Sequence, residues 1–178
     1  ALLVFFGVGL HPLHAGTNGW TLIGWNDLGM HCMDGSDYSL FSVLPPYNTF
    51  QAQLIYRGKL ITNSAGFSVT YEAMADPDGS YNSTSQDKIN FWQYAGQLFG
   101  ASPAGDMGLA GFAMPGAGNI PQAMHFSGNL WSAEGVPITP YDDVTNKNFY
   151  PMMRLVARSN GTVLATTDIV LPVSDEMD

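Results

Sequence analysis

MMRLVARSNGTVLATTDIVLPV, residues 152 to 173, is the stretch that decides the fold class of this chain. Two strand-like runs, the second rich in Val, Leu and Thr, flank Asn160-Gly161, a strong short signal for a β-hairpin because both residues accept the positive φ of a tight turn. Apolar and polar residues alternate along the runs, as they do in strands with one buried face. The stretch therefore predicts two antiparallel strands of a layered β domain.

Further strand-like segments precede this hairpin. They combine β-branched and aromatic residues and are separated by turn residues; they are WTLIGW (20 to 25), YSLFSVL (38 to 44), FQAQLIY (50 to 56) and FSVTYEAMA (67 to 75). Pro45 and Pro46 end the second of them, because proline lacks the amide that a strand ladder uses. Short strands with a turn signal about every ten residues predict an antiparallel β-sandwich, either immunoglobulin-like or jelly-roll-like.

One segment has a different period. In DKINFWQYAGQLFG (87 to 100) apolar residues recur at the three- and four-residue spacing of a helix, at Ile89, Trp92, Ala95 and Phe99. Asp87 stands near the expected start and Gly100 at the expected end, so we predict one short helix near residues 89–99. Residues 101 to 140 are rich in Gly, Pro, Ala and Met and predict long ordered loops with room for short strands.

The composition fits one β domain and disfavours some partners. The 178 residues include 20 Gly and 11 Pro, and only 12% of them are charged. We expect a single β-sandwich domain over residues 17 to 178. The formal net charge of −9 would repel nucleic acid and anionic lipid over most of the surface, so no nucleic-acid partner is expected.

The first 16 residues, ALLVFFGVGLHPLHAG, are typical of the apolar part and end of an export signal. Their apolar run is too short to span a bilayer as a helix, so no membrane span is expected. If the segment is retained, its large side chains need a partner, because each one left in water forfeits roughly 1.5–3 kcal/mol. A neighbouring copy could accept them by strand addition, which makes a self-assembling extracellular or filament subunit the alternative hypothesis; the side chains concerned are Leu2, Leu3, Val4, Phe5 and Phe6.

The nine residues GMHCMDGSD (29 to 37) hold the chain's single cysteine. Thioether, imidazole and thiolate groups are ligands of copper and other transition metals, and four such residues are adjacent here: Met30, His31, Cys32 and Met33. In an extended strand they could not all face one ion, but a turn at Gly29 and Gly35 could bring two together. The stretch is therefore first a turn and second a candidate metal site.

Two further interpretations concern sulfur and imidazole groups. Cys32 could instead be a buried, inert thiol or the nucleophile of a thiol hydrolase, although adjacent His31 would point to the opposite face of a strand. The remaining histidines, His11, His14 and His125, are reserve candidates for contact with a metal or a haem.

A calcium site is the candidate in ADPDGSYNSTS (75 to 85). Oxygen-bearing side chains occupy alternate positions beside Gly79, namely Asp76, Asp78, Ser80 and Asn82. The loop does not match an EF-hand, and a turn in which Asp and Asn bond their own backbone explains the same residues. Tyr141-Asp142-Asp143 is a second acidic spot open to both interpretations.

Common enzyme signatures are missing from the sequence. It has no Gly-x-Ser-x-Gly, phosphate-binding glycine loop, dinucleotide fingerprint or His-Glu-x-x-His, which favours a non-catalytic domain. It also has no Cys-x-x-Cys-His, so no haem is expected to be covalently attached to this chain.

Four segments carry a family resemblance: WNDLGMHCMDGSDYSLFSVLPPYNTFQAQLI (25 to 55), YEAMADPDGSYNSTS (71 to 85), NFWQYAGQLFG (90 to 100) and YPMMRLVARSNGTVLATTDIVLPVSDEMD (150 to 178). Together they resemble the N-terminal region of large exported bacterial proteins of a multihaem cytochrome-like family, in which the segment like LPVSDEMD runs into haem-attachment motifs. The resemblance implies a periplasmic or extracellular location and a haem-bearing domain or cytochrome as partner. It implies no particular reaction.

Overall fold

Two antiparallel sheets make up the architecture of this chain in a computed structural model, which describes residues 18–27, 37–39 and 46–173. The first sheet has the strand order β1-β2-β7-β6, with β3 also paired to β2, and the second has the order β5-β4-β8-β9. The elements are β1 (Trp20–Asn26), β2 (Asn48–Tyr56), β3 (Lys59–Leu60), β4 (Phe67–Ala73), α1 (Phe91–Phe99), β5 (Gln122–Ala123), β6 (His125–Ser127), β7 (Leu130–Val136), β8 (Met152–Ser159) and β9 (Thr162–Val170). The prediction of a mainly β, antiparallel sandwich with one short helix is confirmed.

The hairpin that decided the fold class forms as expected. β8 and β9 pair from Met152↔Val170 to Ser159↔Thr162, and Asn160 and Gly161 between them have φ of 47° and 82°. Both residues thus take the left-handed conformation of a two-residue turn. β4 pairs with the other side of β8, which makes β8 an interior strand of the second sheet.

The core lies between the sheets and is built from alternate residues of the facing strands. Phe50, Tyr71 and Trp131 are among its largest fully buried side chains. The rings of Phe50 and Tyr71 meet edge to face at 5.0 Å, which joins β2 of the first sheet to β4 of the second. The Tyr71 hydroxyl donates a 2.6 Å hydrogen bond to the carbonyl of Ala113, so its burial leaves no polar group unpaired.

Gly24 in β1 is required by the close approach of the sheets. A Cβ atom there would lie 2.7 Å from Cδ1 of Leu155 and 2.8 Å from Cγ2 of Thr167, both in the second sheet. These distances are shorter than van der Waals contact, so a larger residue would force the sheets apart.

The helix ends where the sequence predicts but begins later. Gly100 follows α1 with φ of 66°, the left-handed conformation expected at a helix end. Asn90 stands at the start instead of Asp87, which lies in the preceding turn with φ of 63°. The Asn90 side chain accepts a 2.6 Å hydrogen bond from the amide of Tyr38 and donates one of 2.8 Å to Asp37, so it fastens segment 37–39 to the helix. No helix among the described residues is long and apolar enough to cross a membrane.

Two segments, 130–136 and 38–44, add to the comparison between predicted and observed strands. Residues 101 to 140 are predicted as long loops with room for short strands, and Leu130–Val136 within them forms β7, an interior strand between β2 and β6. Ser132, Glu134 and Gly135 obscure its alternation, while Gly128 and Asn129, with φ of 56° and 72°, form the turn that leads into it. Of the strand expected over 38 to 44, the structure describes Tyr38 and Ser39, which form a turn; the rest lies outside the described residues.

Candidate functional site

Most residues singled out from the sequence for metal, haem or assembly lie outside the described residues. These are Met30, His31, Cys32 and Met33 of the expected metal turn, His11 and His14, and the apolar Leu2, Leu3, Val4, Phe5 and Phe6. The metal site, the haem contact and the strand exchange therefore stay predictions.

His125 is the one histidine that the described ranges contain. It is exposed at the start of β6 and stands opposite Ser132 of β7. Within residues 18–27, 37–39 and 46–173, no three His, Cys, Asp or Glu side chains gather closely enough to hold a metal ion.

The loop considered for calcium begins as a hydrogen-bonded turn. Asp78 accepts bonds through Oδ1 from the amide of Ser80 at 3.0 Å and from its hydroxyl at 2.7 Å. The Ser80 amide and hydroxyl hold the pKa of Asp78 below its usual range. Asp76 accepts a 2.7 Å bond from Nδ2 of Asn148, which ties this loop to the segment before β8. Calcium binding here stays a prediction.

Asn82, the fourth residue of that prediction, faces elsewhere. It is buried, and its Nδ2 donates to the carbonyl of Thr139 at 2.7 Å while its Oδ1 accepts from Nζ of Lys88 at 3.2 Å. Asp76, Asp78 and Ser80 instead line one surface groove together. The structure thus brings three of the four residues together and places Asn82 in a buried polar network.

Lys88 is the centre of this network. Only 5% of its side chain is exposed, and Nζ lies 2.8 Å from Oδ1 of Asp143. The carbonyls of Thr84 and Tyr141 accept from the same ammonium at 2.7 and 2.8 Å, in addition to Asn82. Burial lowers the pKa of Lys88, and the hydrogen bond to Asp143 opposes that shift. The buried ammonium of Lys88 therefore connects residues that are far apart in sequence.

Asp143 balances this charge and collects further donors. Its carboxylate accepts the amide and hydroxyl groups of both Ser83 and Thr84, at distances from 2.6 to 3.1 Å. Burial alone would raise the pKa of Asp143, but the hydrogen bonds from Lys88 and Ser83 lower it to about 2. At neutral pH the Asp143 carboxylate is therefore ionised, and it holds together the loops that carry Lys88, Ser83 and Thr84.

Two other aspartates fix the neighbouring turns. Asp142, only 2% exposed, accepts the amides of Val144 and Asn146 at 3.0 and 2.8 Å. Asp106 accepts the amides of Ser85 and Gln86, both at 2.6 Å. The acidic spot noted at 141 to 143 therefore supports the loops through its side chains.

Two polar grooves lie beside these loops. The first, the aspartate groove, has a volume of about 460 Å³ and is lined by residues that include Asp76, Asp78, Ser80, Asn146, Lys147 and Tyr150. The second, the arginine groove, has a volume of about 300 Å³ and is lined by Glu72, Ala73, Met74, Ala75, Tyr81, Asn119 and Arg154. One continuous segment, residues 73 to 78, contributes to both grooves, so they are neighbours.

A third cavity is apolar and smaller, about 190 Å³. Its lining includes Phe91 of α1, Leu109 of the following loop and Gly135 of β7. Pro46 and Tyr47, where the described chain resumes after residue 45, complete it.

Sequence reasoning missed Lys88 as the residue that joins the loops. It is one of only six Lys and Arg residues, but nothing in DKIN distinguishes a buried lysine from an exposed one. Its partner Asp143 is 55 residues away in sequence, so only the fold brings the two together.

Comparisons with models of protein families, with curated proteins and with solved structures found no match to this chain.

Proposed function

We propose that this chain is a non-catalytic β-sandwich domain of an exported bacterial redox protein, acting as a scaffold or docking module for a haem-bearing domain or cytochrome. The geometry supports this proposal because the charged side chains of the loops form hydrogen bonds and ion pairs with other parts of the same chain. Several groups of the chain itself are hydrogen-bonded to each of three side chains, those of Lys88, Asp143 and Asp142. The pKa of Asp143 is lowered to about 2. Groups bonded in this way stabilise a surface of fixed shape. They do not suit general acid or base catalysis, which needs a pKa nearer the working pH than that of Asp143.

The redox part of the proposal is supported by the resemblance of residues 25 to 55 and 150 to 178 to segments that precede haem-attachment motifs. A periplasmic or extracellular location belongs to the same proposal. One copper or similar ion held by His31, Cys32 and a methionine is its optional part, supported by the ligand chemistry of GMHCMD.

Cross-linking in the exported fraction of cells that make the protein tests the docking role. After a short cross-linking reaction, the complexes that contain this chain are separated by electrophoresis and stained for covalent haem, and the cross-linked residues are identified by mass spectrometry. We expect a haem-positive complex with cross-links at defined surface positions. Haem-negative complexes alone, or cross-links scattered over every lysine, would contradict docking.

The metal part has a separate measurement. Protein purified without added metal or chelator is analysed for its elements and by absorbance. We expect no haem absorbance and at most one tightly bound ion, which is lost in His31→Ala but retained in His125→Ala. Protein that contains no metal removes the metal site and leaves the scaffold role standing.

A further inference from the structure

The aspartate and arginine grooves share a chemistry that the scaffold role does not use. Each contains a tyrosine whose ring is open to solvent: Tyr150 is 62% exposed and Tyr81 is 42% exposed. Exposed aromatic rings of this size forfeit burial free energy, and together with nearby polar groups they are typical of binding surfaces.

Each groove also contains a carboxylate with unused acceptor capacity. Both hydrogen bonds from Ser80 go to the Oδ1 oxygen of Asp78, which leaves Oδ2 with acceptor capacity for a ligand. Glu72 lines the arginine groove beside Arg154, and within the described part of the chain its carboxylate likewise accepts no hydrogen bond. Arg154 donates from its Nε and Nη2 atoms to Asp168, and neither of these bonds uses Nη1, which remains available as a donor.

The backbone that carries both tyrosines is held in place before any ligand arrives. Asn148 donates to Asp76 at 2.7 Å and accepts from the amide of Tyr150 at 2.9 Å, which fixes the backbone that carries this ring. The amide of Asp143 donates to the carbonyl of Tyr81 at 2.7 Å, so the buried Lys88–Asp143 pair fixes the second tyrosine. A preformed site avoids part of the entropy cost of binding.

We propose that the two grooves form one extended binding site for a neutral oligosaccharide chain. A sugar ring presents an apolar C–H face, which packs on an aromatic ring, and hydroxyl groups at its rim, which donate to carboxylates and accept from a guanidinium. Tyr150 with Asp78 forms one subsite, and Tyr81 with Glu72 and Arg154 forms the next. The net charge of −9 disfavours anionic polysaccharides and phosphates, so among oligosaccharides the proposal takes the neutral ones.

Native electrophoresis of the full chain in gels that contain a soluble neutral polysaccharide tests the site. The probes are a mixed-linkage β-glucan, a galactomannan and an arabinoxylan, each in a separate gel. We expect one of them to retard the protein, and a hexasaccharide prepared from it to bind in titration calorimetry. The affinity should be the same at low and high salt, because no charge on the ligand takes part. Retardation by none of the three overturns the proposal.

Matched variants locate the site. Tyr150→Ala and Tyr81→Ala should each weaken the hexasaccharide by about tenfold, the equivalent of one lost aromatic contact, and Tyr150→Phe should stay within about threefold of the original. Val163→Ala, at a 51% exposed position in β9, is the control and should bind unchanged. If both alanine variants bind the hexasaccharide as tightly as the original chain, the proposal is overturned. Salt-sensitive binding of hexalysine without binding of the sugars would also overturn it, because the grooves would then be a site for a basic peptide.

Discussion

The two ends of the sandwich are closed in different ways. At one end, the hairpin end, short turns at Arg57-Gly58 and Asn160-Gly161 join neighbouring strands, and all four residues have positive φ. At the other, the loop end, segments 74–88 and 137–151 are long and are held by Lys88 and the aspartates around it. Local backbone chemistry is thus enough at the hairpin end, whereas the loop end depends on long-range polar contacts.

The difference matters for function because of what each end leaves open. At the hairpin end the rings of Trp20 and Tyr56 lie 4.4 Å apart, and the ring of Trp20 lies 5.5 Å from that of Phe67 across the sheets. Apolar packing there fills the space between the sheets. At the loop end the two polar grooves remain accessible beside Tyr81 and Tyr150. A surface that binds partners is therefore expected at the loop end.

The largest effect should come from breaking the buried pair at the loop end. Asp143→Ala leaves the Lys88 ammonium, 5% exposed, without the carboxylate that forms its ion pair and removes the acceptor of the Ser83 and Thr84 amides. Removal of one partner of a buried pair costs about 3–5 kcal/mol. We expect a loss toward the lower value, because 27% of the Asp143 side chain is exposed. Urea unfolding followed by tryptophan fluorescence measures it.

A double variant shows whether the charge or the shape matters. Lys88→Met with Asp143→Ala removes both charges of the pair and should be less destabilised than Asp143→Ala alone, because the Lys88 ammonium is then not left buried without the carboxylate that bonds it. If the double variant is as unstable as the sum of the two single variants, the pair is not the support of the loop end.

The second effect is a dependence of stability on pH that arises at the same carboxylate. Asp143 has a pKa of about 2 in the folded chain, below the ordinary value of 3.8 that it regains on unfolding. Its contribution is therefore complete above about pH 4 and is lost as pH falls toward 2, since protonation then favours the unfolded chain. By linkage it amounts to at most about 2 kcal/mol, and solvent screening of the exposed part reduces it.

Asp143→Asn is the matched variant for this effect. It keeps the shape and an acceptor oxygen but cannot titrate, so its free energy of unfolding should vary less between pH 4 and pH 2 than that of the original chain. Parallel pH profiles for the two proteins would show that other carboxylates control acid unfolding.

The third effect, at the hairpin end, should be smaller. Gly161 has φ of 82°, and a Cβ atom added there would meet no other atom within 4 Å, so Gly161→Ala adds no collision and only the backbone strain of an alanine in the left-handed region. That strain costs about 1–2 kcal/mol. Asn160→Gly is the control and should be nearly neutral, because glycine accepts the φ of 47° found there. If Gly161→Ala lowers the free energy of unfolding as much as Asp143→Ala does, the proposed difference between the two ends is wrong.

The contrast between the ends also explains what the sequence could and could not predict. Asn160-Gly161 and Gly100 act on their own neighbours, so the hairpin and the end of the helix were predictable. The sequence left room for short strands in residues 101 to 140 but did not locate β7, because burial of Leu130–Val136 comes from pairing with β2, about 80 residues earlier, and not from its own alternation. The Lys88–Asp143 pair and the two grooves were missed for the same reason, since segments 74–88 and 141–151 meet only in the fold.

The smallest effect is expected where an ion pair lies on the surface of the second sheet. Nε of Arg154 donates to Asp168 at 2.8 Å across β8 and β9, and this bond raises the pKa of Arg154. The side chains are 43% and 34% exposed, and exposed pairs contribute about 0–1 kcal/mol because water screens them and ordering the side chains costs entropy. Asp168→Asn should therefore lower the free energy of unfolding by less than about 1 kcal/mol, in the same urea measurement as Asp143→Ala. The distance between charges is the same 2.8 Å in both pairs, so a loss as large as that from Asp143→Ala would mean that burial does not set the strength of these contacts.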